Sequence, residues 1–417
     1  MQHVCIHDDA DTLVEAIVHC PGLEAHSYSS TNFDQVFFLR ARLGKQAFDY
    51  DRALTEHRSF TQALEREGVS LISTEQLLTE ALETSETAKN EFIERFLVTC
   101  GSKGDELLTA VEGVLRQQAT GGDLASTAIK GITCCEAHLP NDKSEPLAGA
   151  LGTAFDPDAR LAGPMNTMYF TRDPATVIGG GIALCNMYWH DRARESLLYR
   201  TIFEHHPRFI GTPIWYQETS SYHIEGGNIL NIGDGVVAVG ISERTEPAAV
   251  DHLAAKLLCN PNQSGTKEVI AIPLPAPDGH RLHLDAFMTK VDHETFLIDP
   301  ALLDVIDTYR LHLGPNCSIS MRHEDGVGNA LRHVHGGPMS FITCGGNTPS
   351  AAEHEAARNA PSVLCLAPGR VLACEGNPLT NDALCKAGIE VVPISLDELT
   401  YGFGGPCSLC LPLRRMA

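Results

Sequence analysis

The chain has 417 residues, of which 43% are hydrophobic and 20% are charged, and its formal net charge is −22. These proportions are typical of a soluble globular protein with enough apolar material for a large core. The acidic excess disfavours binding to nucleic-acid phosphates and would attract small cationic ligands instead.

The sequence shows no sign of export or membrane insertion. The first residues lack a basic start followed by an apolar segment, so we expect no signal peptide. No stretch approaches the roughly 20 apolar residues that a membrane helix requires, so we expect no membrane partner. The 14 cysteines lack the spacing of a disulfide framework. We therefore expect a cytoplasmic protein with mostly free thiols.

The segment before residue 74 has mixed α/β character. Leu13–Val18 is predicted as a short strand that ends at the turn around Pro21-Gly22. Tyr50–Glu67 carries apolar residues at helical spacing and is followed by Gly68, which favours the end of a helix. Val69–Ile72 is predicted as the next strand.

Residues 74–149 are predicted to form an inserted helical bundle. Their apolar residues fall at helical spacing with polar residues between them: Leu77, Leu78, Ala81, Leu82, Phe92, Phe96, Leu97, Leu107, Leu108, Val111 and Leu115. The remainder, residues 1–73 and 150–417, is predicted to form one α/β domain.

After residue 151, short strands and helices alternate. The predicted strands are Val177–Leu184, Gly235–Ile241, Lys267–Ile272, Thr295–Ile298, Met339–Ile342, Ser362–Cys365 and Glu390–Pro393. The predicted helices are Pro247–Leu258, Leu302–Tyr309 and Ser350–Arg358. Such alternation suggests repeated supersecondary units, although no repeat is visible at the level of sequence.

Three short motifs carry groups that can do chemistry. Asp173 lies in Phe170–Pro174, and Glu225 precedes two glycines that would let the backbone approach a ligand closely. His283 and Asp285 would share one face of a strand, which would place a base beside a carboxylate. Taken singly, each motif could equally be a structural ion pair or a buried, satisfied polar group.

Two other patterns do not support a cofactor or metal. The glycines around Gly180 lack the spacing of a phosphate-binding loop. His333 and His335 have no third ligand at a recognisable spacing, so we predict no metal site. No cofactor is expected.

Together, the motifs resemble the arginine deiminase family over most of the chain. The blocks that carry the resemblance, in order, are 16–24, 170–174, 199–209, 225–228, 242–245, 283–300 and the glycine-rich 404–412. The resemblance implies an α/β-propeller of about five ββαβ units around a central site, with a helical bundle inserted near the N-terminus. The propeller would be the catalytic domain, residues 1–73 and 150–417.

The resemblance also implies a reaction and a role for each motif. A cysteine thiolate would attack a guanidinium carbon, ammonia would leave, and water would release a ureido product. Asp173 and Asp285 match the carboxylates that accept forked N–H donors from the guanidinium. His283, beside Glu225, would protonate the leaving ammonia and then deprotonate water.

The sequence departs from the family pattern at the nucleophile. Aligned without gaps on both flanks, the nucleophile position falls on Ser408, which is the assignment that the alignment favours. A Cys-to-Ser exchange that traps bound substrate would explain this residue. A shift of one residue would give the position to Cys407, and a naturally inactive protein is the third alternative.

Three further departures lie near the expected substrate. Asn186 and Phe403 occupy positions assigned to family arginines, whereas Arg244 is retained. Asn228 replaces an aspartate and thins the negative charge around the guanidinium. These departures predict altered recognition of the substrate's carboxylate end.

The predicted function is hydrolysis of a guanidine C–N bond in arginine or an arginine-derived compound, with ammonia and a product such as citrulline. The partner would be a small cationic guanidino substrate, and a homo-oligomer is left open. Two alternatives stand beside this prediction: an amidinotransferase of the same fold, and an inactive protein that binds a guanidino metabolite.

Overall fold

The computed structural model describes residues 3–26, 48–139, 158–275, 281–303, 305, 307–346 and 348–417. Within these residues the fold is mixed α/β, as the sequence predicts. Residues 140–149 of the predicted insertion lie outside the described part of the chain.

The N-terminal segment supplies two strands and a long helix. In chain order the elements are β1 (Thr12–Val18), α1 (Leu23–His26), α2 (Tyr50–Arg66) and β2 (Ser70–Ser73). The Asp49 carboxylate accepts a hydrogen bond from the Arg52 amide and caps α2, whose apolar side, including Phe60 and Leu64, is buried.

Four helices follow, and the first three lie at the positions where the apolar spacing predicts helices. They are α3 (Thr74–Leu82), α4 (Glu86–Thr99), α5 (Asp105–Arg116) and α6 (Gly121–Lys130), and they lead to the short strands β3 (Ile132–Thr133) and β4 (Arg160–Ala162). Thr120 and Asp123 form a capping box that fixes the start of α6. The buried side chains of these helices share one hydrophobic core with α7, described next.

The remaining elements alternate between strands and helices. They are β5 (Ala175–Ile178), β6 (Gly181–Leu184), α7 (Ala193–His205), β7 (Ile214–Tyr216), β8 (Ile229–Gly233), β9 (Val236–Ile241), α8 (Pro247–Leu258), α9 (Pro261–Ser264), β10 (Glu268–Pro273), β11 (Met288–Asp292), β12 (Thr295–Ile298), α10 (Pro300–Leu303), β13 (Asp307–Leu313), β14 (Ile319–Asp325), α11 (Val327–His335), β15 (Ser340–Thr343), α12 (Pro349–Ala356), β16 (Leu364–Ala367), β17 (Arg370–Cys374), α13 (Pro378–Lys386), β18 (Glu390–Ile394) and β19 (Leu411–Met416).

One pairing pattern recurs in five sheets of the described chain: an antiparallel pair is followed by a third strand parallel to the second. The triplets are β5-β6-β7, β8-β9-β10, β11-β12-β15, β16-β17-β18 and β19-β1-β2. In each triplet a helix lies in the connection to the parallel strand, as a parallel crossover requires. The last triplet joins the two ends of the chain, because β19 pairs with β1.

Two predicted elements are wrong. Val177–Leu184 is a hairpin of β5 and β6 instead of one strand, because Gly179 turns the chain with a φ of 53°. Leu302–Tyr309 is not a helix: α10 ends at Leu303, and β13 begins at Asp307 and pairs with both β10 and β14. The apolar residues of β13 alternate toward a sheet core that holds Tyr309 and Leu311.

Candidate active site

The candidate site is built from the short segments that lead into the first strands of the five sheets. Asp173 precedes β5, Glu225 precedes β8, Asp285 precedes β11, Ser362 precedes β16 and Cys407 precedes β19. The recurring topology thus brings together residues that are far apart in the sequence. The sequence motifs point to every one of these segments except the one that carries Ser362.

His283 lies between two carboxylates. Its Nε2 is 2.7 Å from Glu225 Oε2, and its Nδ1 is 3.5 Å from Asp173 Oδ1. Burial disfavours the protonated ring, but the two carboxylates outweigh burial and raise the pKa of His283 above 6.5. His283 can therefore carry a proton at neutral pH.

Glu225 is fully buried and ionised. Burial alone would raise its pKa, but Arg244 and His283 outweigh that effect and lower the pKa of Glu225 to about 2. Its other oxygen, Oε1, accepts a hydrogen bond of 3.0 Å from the Tyr188 amide. Glu225 is thus a fixed anion that orients the imidazole of His283.

The two glycines after Glu225 allow close packing against protein groups. A Cβ on Gly227 would lie 2.6 Å from His283 Nδ1, and a Cβ on Gly226 would lie 2.1 Å from the Arg172 carbonyl oxygen. The sequence pattern predicted that these glycines let a ligand approach the backbone closely. In the structure, they let the imidazole and the segment before Asp173 approach the backbone.

His283 and Asp285 do not sit on a strand, as strand alternation would require. Leu284–Ala286 forms a 3₁₀ turn, and the Leu284 amide donates to Asn228 Oδ1 at 2.9 Å. The turn still brings both side chains into the cluster, where His283 Nε2 contacts Glu225 and Asp285 Oδ2 lies 3.1 Å from Cys407 Sγ. The juxtaposition predicted for the pair is present, but its cause is different.

The Cys407 thiol lies between Asp285 and Ser362. Its Sγ is 3.1 Å from Asp285 Oδ2 and 3.1 Å from Ser362 Oγ. Burial, followed by the charge of Asp285, raises the pKa of Cys407 well above 9.0, and burial also raises the pKa of Asp285. Without a cation beside it, this thiol is therefore neutral.

Ser408 follows Cys407 in the 3₁₀ turn Pro406–Leu409 and is buried. It is tied to its surroundings through its backbone: its amide donates to Gly405, and its carbonyl accepts from the Arg172 amide at 3.4 Å. The residue that contacts the Asp285 carboxylate is thus Cys407, the second of the two nucleophile alternatives.

Asp173 binds an arginine that sequence reasoning missed. Arg192 Nη1 donates to Asp173 Oδ2 at 2.9 Å, and its Nη2 donates to Glu195 Oε2 at 2.8 Å. All three side chains are buried. Asp173 Oδ1, also buried, has no hydrogen-bond partner among the described residues.

One sequence signal could have identified Arg192. It stands immediately before the first residue of α7, where the positive end of the helix dipole disfavours a cation. An arginine at that place requires a compensating anion, and Glu195, three residues later, is the first candidate.

Arg244 is the second buried cation near the site. Its Nη1 is 3.6 Å from Glu225 Oε1, and its Nε donates to Glu243 Oε1 at 3.1 Å. Its guanidinium also lies over the rings of Tyr188 and Trp189, at 5.2 and 5.6 Å from their centroids. Acids and aromatic rings therefore hold Arg244 in place.

Two asparagines assigned to substrate binding contact the protein itself. Asn186 Nδ2 donates to the carbonyl of Ser220 at 2.7 Å. Asn228 Nδ2 donates to Thr245 Oγ1 at 2.9 Å, while its Oδ1 accepts from Leu284. Asn228 thus supports the turn that carries His283 and Asp285.

Phe403 lies immediately before the glycines that lead to Cys407. It adopts a φ of 72°, the left-handed region that non-glycine residues rarely occupy. The next residue, Gly404, packs so closely on the Phe170 ring that a Cβ would lie 2.3 Å from it. The backbone path into the Cys407 turn is therefore tightly constrained.

Solved structures show which class of fold this is. SxtG, an amidinotransferase from Microseira wollei, matches with a TM-score of 0.53 and 14% identity over 99% of this chain and 98% of that one. A mutant of DDAH from Pseudomonas aeruginosa, solved with citrulline, matches with a TM-score of 0.51 and 13% identity over 96% of this chain and 99% of that one. The chain thus shares the mixed α/β fold of amidinotransferases and DDAH.

The sequence comparisons identify the family. The arginine deiminase family model matches residues 43–415. The arginine deiminase of Clostridium perfringens is 31% identical over 408 residues, which are 97% of this chain and 96% of that protein. The chain belongs to the arginine deiminase family, a family of hydrolases that act on C–N bonds. Among the described residues, no helix combines the length and apolar character needed to cross a membrane.

Proposed function

We propose that this protein hydrolyses the guanidinium group of arginine, or of an arginine-derived compound, to ammonia and a ureido product such as citrulline. Membership of the arginine deiminase family supports the reaction class. The geometry supports the roles of individual residues, and the main observation is the hydrogen-bonding state of the buried Asp173 carboxylate.

Asp173 Oδ1 is a buried carboxylate oxygen without a hydrogen-bond partner among the described residues. This oxygen has an ion pair of 3.5 Å with His283 Nδ1 but no hydrogen bond from any described residue, and a cationic fork of N–H donors would supply one. Asp285 is the second acceptor, since its Oδ2 contacts a neutral thiol. Two such carboxylates beside one imidazole suit a planar guanidinium.

Substrate binding would activate Cys407. A guanidinium paired with Asp285 would neutralise the charge that disfavours the thiolate, and its own positive charge would stabilise the anion. The thiol would lose its proton to solvent, and the resulting thiolate would form a bond to the guanidinium carbon. Within the described part of the chain, Ser408 has no comparable contact with a site carboxylate, and a serine hydroxyl ionises far less readily.

His283 would move the protons. Its protonated ring would give a proton to the departing nitrogen, so that ammonia leaves and an amidino group stays on Cys407 Sγ. The neutral ring would then take a proton from water as the water attacks the amidino carbon. Cleavage of the S–C bond would release the ureido product and regenerate the thiol, with Glu225 orienting the imidazole throughout.

For the architecture, we propose that the five strand triplets form the five ββαβ units of a propeller. In this arrangement the segments before each first strand would line its centre. Residues 74–149 would then be an insertion between β2 and the unit that begins with β5. The common core of α3–α6 and α7 supports close packing of this insertion on the propeller.

The experiment measures ammonia and citrulline from arginine with the unsubstituted chain, Cys407→Ala, Ser408→Ala and Ser408→Cys. We expect turnover that is lost in Cys407→Ala and persists in Ser408→Ala. Activity that appears only in Ser408→Cys would move the nucleophile to residue 408. A new guanidino compound formed in the presence of an amine acceptor would establish an amidinotransferase.

A further inference from the structure

Ser362 is a buried hydroxyl in contact with the proposed nucleophile. It lies in the segment before β16, and its side chain is 1% exposed. Its Oγ is 3.1 Å from Cys407 Sγ. No motif that resembles the family includes Ser362, but it occupies the same place in its sheet as Asp173, Glu225 and Asp285 occupy in theirs.

We propose that Ser362 is a catalytic residue that donates a hydrogen bond to the Cys407 thiolate and so stabilises the attacking form of the sulfur. This inference rests on the proposed role of Cys407 as nucleophile. It adds a group that determines how much of the thiol is ionised when substrate is bound.

The two neighbours of the sulfur have opposite hydrogen-bonding abilities. The Asp285 carboxylate can only accept, so it holds the neutral thiol through S–H···O. The Ser362 hydroxyl can also donate, so it can form a hydrogen bond to the sulfur after the thiol has ionised. When a guanidinium pairs with Asp285, the thiol loses its acceptor. The Ser362 donor then remains for the thiolate.

Close packing fixes the position of the hydroxyl. A Cβ on Gly405 would lie 2.6 Å from Ser362 Oγ and 2.4 Å from the Ser362 carbonyl oxygen. Gly405 lies two residues before Cys407, so the turn that carries the thiol is pressed against Ser362. The contact is therefore set by the backbones of both segments and not by a chance rotamer.

The test follows the alkylation of Cys407 by iodoacetamide as a function of pH, with the modified peptide quantified by mass spectrometry. It compares the natural sequence with Ser362→Ala, with Ser362→Thr and with the exposed-site control Ser340→Ala. We expect Ser362→Ala to raise the pH midpoint of Cys407 alkylation by about one unit, because a hydrogen bond to the charged thiolate is lost. Below the midpoint, alkylation should be about tenfold slower. Ser362→Thr and Ser340→Ala should keep the original midpoint.

A merely structural role would give a different result. An unchanged midpoint in Ser362→Ala, or equal shifts in the Ala and Thr variants, would overturn the proposal. If Ser362→Ala does not fold, Ser362→Gly removes the same hydroxyl and takes its place. The alkylation measurement needs no turnover. An error in the proposed role of Cys407 would therefore be seen separately, as ammonia release that persists in Cys407→Ala.

Discussion

Two clusters of buried charge meet at the segment Arg172-Asp173, and they differ in how completely their carboxylates are paired with cations and hydrogen-bond donors. In the N-terminal charge cluster (Asp8, Asp9, Lys290 and Arg172), Lys290 Nζ lies 2.6 Å from Asp8 Oδ2, and Arg172 Nη2 lies 3.4 Å from Asp9 Oδ2. Asp9 Oδ2 also accepts from the Asn231 amide at 3.1 Å. Each acid of this cluster has a cation and at least one backbone donor.

The active-site cluster lacks this balance. Asp173 Oδ2 is paired with Arg192, but Asp173 Oδ1 has no hydrogen-bond partner among the described residues, and Asp285 Oδ2 is contacted by a neutral thiol. Burial keeps the pKa of Asp285 above its ordinary value. A cluster in which every acid has a cation and a backbone donor stabilises the fold, whereas acids that lack such partners have capacity for a cationic ligand. The contrast predicts that substitutions in the two clusters affect different properties.

The largest effect on stability is expected from Lys290→Met. The substitution leaves the Asp8 carboxylate buried without its cation, which should lower the free energy of unfolding by about 3–5 kcal/mol. Chemical denaturation measures this change. Lys267→Met, at an exposed position, should stay within about 0.5 kcal/mol of the natural sequence. Equal losses in the two variants would contradict the stabilising role of the N-terminal charge cluster.

Asp173→Asn should act on ligand binding. Loss of a charge-assisted fork in a buried site should weaken the binding of arginine by about 2–4 kcal/mol. Calorimetry in a Cys407→Ala background measures binding without turnover. The exposed substitution Asp251→Asn is the matched control, and unchanged affinity in Asp173→Asn would refute the assignment of this carboxylate.

Asp285→Asn should stabilise the protein while it abolishes turnover. An acid whose pKa is raised by folding costs stability once the pH exceeds its unfolded value of 3.8. The variant should therefore gain about 0.5–2 kcal/mol at neutral pH, and the gain should vanish below pH 3.8. Unfolding measured across this pH range tests the sign. A loss of stability at neutral pH would contradict it.

The smallest effect is expected at the carboxylate end of the substrate. Arg192 and Arg244 are both paired with buried acids, and Phe403 occupies the position assigned to a family arginine. Phe403→Arg should increase the preference for arginine over agmatine, in kcat/KM, by about tenfold, through one added ion pair. An unchanged ratio would place Phe403 away from the substrate carboxylate.

Elements whose apolar residues follow one clear periodic spacing could be predicted from the local sequence. The spacing in Tyr50–Arg66 and Pro247–Leu258 identified both helices, because each buries one continuous apolar stripe. The prediction of one helix over Leu302–Tyr309 was wrong because the same apolar residues also fit a short helix followed by a strand. The pairing of β13 with β10 and β14 selects the second arrangement. Local propensity carries no information about such long-range pairing.

The site was predictable where the chemistry stands in short motifs. His283, Asp285, Glu225 and Asp173 could be identified from their sequence neighbours, and the structure brings them together. Ser362 could not, because its contact with Cys407 joins segments of two different sheets. Arg192 carried only the signal of a cation at the start of a helix, and its contact with Asp173 could not be predicted from that signal. The gap-free alignment favoured Ser408, whereas the contact with Asp285 favours Cys407. The two assignments differ by one residue in a turn, and the flanking sequence does not show which side chain faces the carboxylate.

The most direct test of the account is to trap the covalent intermediate. The natural sequence and His283→Ala are mixed with arginine, quenched in acid, digested and examined by tandem mass spectrometry. We expect an adduct with the mass of arginine less ammonia on Cys407. It should accumulate further in His283→Ala if loss of the base slows hydrolysis more than formation. Ammonia release with no adduct on Cys407, or an adduct on Ser408, would contradict the account.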